Sequence, residues 1–286
     1  MRTLWRTTAY LFWQHPALWL PVVLADLIAF CLRSFQAWMT QAVIRSLVAG
    51  HSVLSDTPEP LHTLPVAWAA AFGATRALVE LLNLCLYTAA MISISILVPA
   101  LIAQTKMPWQ QILSALGESR LRILLFSLKI LVLIAVAGIL DIGLITYLPH
   151  LHLMFSPIGI SRDENIAMIT LFLATIVWLL APSAVAILRP RESPPVGAIG
   201  LRHARIFAAV SILSSVAIYF LSTVLRPSFA PLLTTAFGIQ VFWGVASVTS
   251  ALPYIPLFIA LCLIANRDSP LAMPPTVDPA PENLPA

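Results

Sequence analysis

Two ionisable side chains, Asp26 and Lys129, fall inside long apolar runs, where a charge is costly and therefore needs a purpose. Burying one in a membrane span costs about 2.5–3.5 kcal/mol on insertion scales. Asp26 lies about nine residues into its run and Lys129 about seven into its own, so at 1.5 Å per residue their depths are roughly 13 and 10 Å. Near-equal depth allows an ion pair between the two helices. Such a pair either fixes helix neighbours or forms a proton- or ion-coupled site, and Lys129 can also snorkel toward the surface. A second group gathers at the opposite membrane face. Arg76 and Glu80 are four apart and share a helix face, while Arg33 and Asp141 close their runs at similar height. Together they form an outer-side polar cluster, read either as a vestibule or as an interface-level charge network.

Other chemistry finds little support. His150 and His152 make a His-x-His near Asp141, but a third metal ligand is missing. No HExxH, GxSxG, Walker or Gly-rich nucleotide motif occurs. Ser93 and Ser95 have no identifiable base. Cys31, Cys85 and Cys262 sit in apolar runs without a Cys-x-x-Cys partner, which favours packing over disulfide or zinc. No enzymatic activity, cofactor or metal is expected.

The elements that must carry these residues are set by composition. Hydrophobic residues make up 59% of the chain and charged ones 10%, with a mean hydropathy of +0.91; soluble domains carry roughly 25% charge. Six runs, at 17–35, 77–103, 122–145, 166–188, 205–225 and 239–265, are each about long enough to cross a ~30 Å hydrocarbon core. Continuous apolar character makes them helices rather than barrel strands. The expected fold is all-α, a polytopic helical membrane protein. One six-span domain covers 1–266, and a proline-rich, disordered cytoplasmic tail covers 267–286. The stretch from His51 to Pro65 reads as a polar outer loop. Pro99, Pro182, Pro253 and Pro256 interrupt spans, and Gly244, Ala246, Ser247, Thr249, Ser250 and Ala251 give the sixth span a small-residue face for close packing.

Arg2, Arg6, Lys106, Arg120, Arg122, Arg189, Arg191, Arg202, Arg205 and Arg267 fall on one side of this layout. Arg33, Arg45, Arg76, Arg162 and Arg226 fall on the other, so both termini are expected in the cytoplasm. The net charge of +4 reflects this topology, not nucleic-acid binding. Amphipathic stretches precede the odd-numbered spans: LWRTTAYLFWQHP, PWQQILSALGESR and PPVGAIGLRHAR. In the first, Leu4, Trp5, Thr8, Leu11 and Phe12 share a face opposite Arg6, Tyr10 and Gln14. These are expected to be cytoplasmic interfacial helices. Their spacing suggests three repeats of an interfacial helix plus a helix hairpin.

Trp5, Phe12, Trp13, the His15-Pro16 pair and the leucine-rich span that follows resemble six-pass bacterial membrane protein families. These include the membrane domain joined to some glycerophosphodiester phosphodiesterases. The resemblance covers the hydropathy layout and implies a membrane module in the bacterial inner membrane; it carries over no catalytic residue, since chemistry there sits in a separate soluble barrel. Mitochondrial carriers share the length and threefold layout, but their Pro-x-acid-x-x-base signature is absent after Pro16, Pro21, Pro99 and Pro182. The expected function is a non-enzymatic scaffold, assembly or envelope-organising component whose partners are the lipid bilayer and a membrane protein or a second copy of itself. The alternative is a small-solute transporter or permease with its buried charges in the pathway.

Overall fold

A computed structural model of the protein describes residues 2–52, 66–103, 105, 108–147, 178–189, 196–229 and 234–266. Among these residues every regular element is a helix. Helix α1 (Arg2–Gln14) is followed by a single 3-10 turn, Pro16–Leu18. Four long helices come next: α2 (Leu20–Ser52), α3 (Val66–Ile102), α4 (Trp109–Tyr147) and, after a short α5 (Trp178–Leu188), α6 (Ala198–Leu225). A 3-10 turn at Arg226–Phe229 precedes α7 (Ala236–Ala251) and α8 (Tyr254–Ala265).

Among the described residues, four segments are long and apolar enough to cross a membrane: Pro16–Val43, Ala71–Ile102, Ala198–Ser222 and Phe237–Ala265. They match the first, second, fifth and sixth runs. The third run lies within α4, whose side chains are described as far as residue 136, and the fourth is described only from residue 178. The helices exceed the apolar runs that announce them. The 33 residues of α2 and 39 of α4 reach about 50 and 58 Å, against a hydrocarbon core of ~30 Å. A helix stops where its backbone bonds stop, not where its side chains turn polar. His51 and Ser52 accordingly belong to α2 rather than to a loop; 53–65 and the tail 267–286 lie outside the described residues.

The three amphipathic stretches do not behave alike. Pro16 ends the first, because proline cannot donate the next helical bond, and α1 is a separate helix. The second and third carry no such break and run straight into α4 and α6.

At the centre lies α8. Ile255, Leu257, Phe258, Ile259, Ala260, Leu261, Cys262, Ile264 and Ala265 are all buried, so it is covered on every side. Its neighbours are α1, α3 and α6. Buried Ile94, Leu97 and Val98 of α3, Phe207 of α6 and Leu11 of α1 belong to the same core. Close approach of α6 depends on Gly200, where an added Cβ would sit 2.6 Å from Val196 Cγ1 and 3.4 Å from Ile264 Cγ2.

Proline leaves its mark on both sides of this core. Pro99 lies inside α3 and cannot donate to the carbonyl four residues back, Ser95. That carbonyl instead accepts the Cys262 thiol of α8 at 3.6 Å. The helix break at Leu252–Pro253 separates α7 from α8, and beside it the Ser250 carbonyl accepts Ser215 Oγ of α6 at 2.6 Å. In both places a side chain from a neighbouring helix occupies an acceptor in an apolar setting, as a membrane-embedded backbone requires.

Candidate functional site

Asp26 enters α2 two turns after Leu20 and is 2% exposed. Its Oδ1 accepts hydrogen bonds from two other helices and pairs with a cation on its own. Tyr87 of α3 donates its hydroxyl at 2.5 Å, and Ser247 of α7 donates at 3.2 Å. Arg33, two turns further along α2 itself, places Nη2 3.8 Å from the same oxygen. That nitrogen also donates to Ser247 Oγ at 3.4 Å, while Arg33 Nε donates to the Ala29 carbonyl at 3.3 Å. The seven-residue spacing puts Asp26 and Arg33 on one face of α2, which lets the guanidinium fold back along its helix. Oδ2 of Asp26 is buried and accepts no hydrogen bond.

Gly244 of α7 faces the Phe30 ring of α2, where an added Cβ would meet the ring at 3.5 Å, an ordinary van der Waals contact. Below the carboxylate, Tyr87 meets Tyr254 edge to face, with centroids 5.8 Å apart. Above it, Ser34 Oγ donates to Gln240 Oε1 at 3.4 Å, a second polar tie between α2 and α7.

The structure assigns Asp26 a different partner from the one expected from depth. Lys129 donates to Ser183 Oγ of α5 at 2.8 Å and lies on an exposed face of α4, while the ion pair of Asp26 is with Arg33. Helix depth fixes height but leaves the direction around the helix axis open, and Lys129 points toward α5. Arg33, expected in the outer cluster, is drawn instead to Asp26. Glu80 accepts from Asn83 Nδ2 at 3.4 Å, Arg76 is exposed, and no ion pair joins the two among the described residues. The Asp141 side chain, like His150 and His152, lies outside the described residues.

Sequence reasoning missed Tyr87 and Ser247 as partners of Asp26. Tyr87 was findable in principle, as a hydroxyl-bearing aromatic amid an apolar run. Ser247 was read only as a small packing residue. Asn83, also buried, carries a second unpartnered acceptor at Oδ1, one turn from Tyr87 on the same face of α3. Thr88 and Ser127 are 3.3 Å apart and tie α3 to α4.

Chemically the arrangement holds a carboxylate between a phenol, a hydroxyl and a guanidinium. Both hydroxyls donate to the same carboxylate oxygen. Among the described residues no group of three or more His, Cys, Asp or Glu side chains is placed to hold a metal ion. No protein-family model matches the chain, nor does any curated protein or solved structure.

Proposed function

We propose that the chain is a non-enzymatic, six-span integral membrane protein that serves as a scaffold or assembly component. The resemblance to six-pass bacterial families, the bacterial inner membrane as its site and both termini in the cytoplasm belong to the same reading. The observation that carries it is the Asp26 clasp. One buried carboxylate ties α2, α3 and α7 together through Tyr87 and Ser247, with Arg33 as its counter-charge. A buried charge whose partners come from different helices is a device for fixing which helices are neighbours. The basic residues of α1 and of the first turns of α6, Arg2, Arg6, Arg202 and Arg205, support the inward orientation of those ends.

The second reading is a small-solute transporter or permease. Two observations favour it: the unpartnered Asp26 Oδ2, and the helix break at Leu252–Pro253 close to Ser247. Broken helices beside a buried carboxylate border the sites of many transporters.

Cysteine reactivity separates the two. In a background with Cys31, Cys85 and Cys262 replaced, a cysteine would be placed at buried Ala90 or Ala246, beside the clasp. Membranes would then be treated with a small, charged methanethiosulfonate. Absence of labelling in folded protein is expected of the scaffold. Rapid labelling that a solute slows would establish a water-filled path and sink the scaffold reading.

A further inference from the structure

One face of α1 is used up by the protein itself. Trp5 stacks on Phe207 of α6, with centroids 3.9 Å apart and planes 23° apart. Thr8 and Leu11 are buried. Phe12 stacks on Trp19, whose Nε1 donates to the Phe12 carbonyl at 2.8 Å. These contacts fix the rotation of α1 about its axis, and so determine what it shows to its surroundings. The outward stripe is Arg2, Arg6, Tyr10 and Trp13, all exposed, Tyr10 at 61% and Trp13 at 71%. Successive spacings of four, four and three residues keep them within about 80° of arc at 100° per residue.

The apolar face expected to enter the bilayer is therefore turned onto the bundle, and the face left over combines guanidiniums with amphipathic aromatics. Arg2 and Arg6 form no ion pair among the described residues. Exposed Arg202 stands one turn into α6, near the Gly200–Ile264 contact with α8. Asp26, which follows α1 closely in the chain, is buried and already held by Arg33. A guanidinium fork matches the geometry of a phosphate oxyanion, and Tyr and Trp prefer the headgroup layer, where their rings are apolar and their edges wet.

We propose that the Arg2, Arg6, Tyr10 and Trp13 stripe is a docking surface for anionic phospholipid headgroups, which hold α1 flat at the membrane surface. This rests on the membrane reading above. The test uses the full chain purified in detergent, titrated with phosphatidylglycerol or phosphatidylcholine and read by native mass spectrometry. Wild-type protein is expected to retain phosphatidylglycerol in preference to phosphatidylcholine. One basic residue near an anionic surface is worth about fivefold in affinity, so Arg2→Gln with Arg6→Gln should weaken phosphatidylglycerol binding about 25-fold. Arg76→Gln, on α3 and outside the stripe, should leave it unchanged. The proposal is overturned if the double variant binds phosphatidylglycerol as the wild type does, or if Arg76→Gln weakens it equally. Carbonate extraction of cell membranes separates this failure from failure of the membrane reading. Protein that stays in the extracted pellet while the double variant keeps its lipid sinks the headgroup site alone. Protein released into the supernatant sinks both.

Discussion

Asp26 accepts hydrogen bonds at one oxygen from two other helices and pairs with Arg33 of its own, and these neighbours are replaceable one at a time. Tyr87→Phe and Ser247→Ala each delete a hydrogen bond to a charged group, worth about 1.5–3 kcal/mol. Each should lower the melting midpoint in detergent. A double-mutant cycle between Asp26→Asn and Arg33→Met should show coupling, because each change removes half of one ion pair. The same cycle with Lys129→Met should be additive to within about 0.5 kcal/mol, since Lys129 is bonded to Ser183 instead. Strong coupling of Asp26 to Lys129 would contradict the arrangement described above. At this scale the sequence was half informative. Asp26 stands out because an acid in an apolar run is rare. Its partners do not stand out, because a tyrosine or serine in such a run is ordinary and becomes a ligand only when helices turn the right face toward it.

Helices obey rules that the sequence shows more openly. The break after Ala251 is written in Pro253 and Pro256, and the separation of α1 in Pro16. Hidden from the sequence was the continuity of α4 and α6 through their amphipathic openings, which only the absence of a breaker could announce. Proline also sets up a testable compensation. Cys262→Ala would strip the Ser95 carbonyl of its thiol donor and should destabilise by about 1 kcal/mol. Pro99→Ala in the same chain supplies a backbone N–H for that carbonyl, so the loss should shrink in the double variant when measured by thermal unfolding. A parallel argument applies where α6 approaches α8. Gly200→Ala forces a methyl against Val196 and should cost about 1–3 kcal/mol. Adding Val196→Ala should recover much of it; if the recovery is nil, the crowding is not with Val196.

On the scale of the whole molecule, the distribution of arginine predicts opposite sides for the two ends of α6. Single cysteines at Arg202 and Arg226, in a cysteine-free background, should be labelled from opposite faces of sealed vesicles by an impermeant reagent. Labelling from one face would overturn the orientation. Four of the six runs are seen as helices of spanning length, and they were legible because apolar length is a direct reading of bilayer thickness. Their lateral order was not, since hydropathy says nothing about neighbours. Finally, α8 sits at the centre of the bundle yet follows every other described helix in the chain. During synthesis α1, α3 and α6 emerge before the helix they share, while α2, α3 and α4 can already pack on one another. Neither α7, at 16 residues, nor α8, at 12, reaches across ~30 Å by itself at 1.5 Å per residue, so the two must enter the bilayer as one unit. Packing of α1, α3 and α6 onto α8 thus waits for residues 254–265 to leave the ribosome, and a chain cut before Tyr254 lacks the one helix those three share.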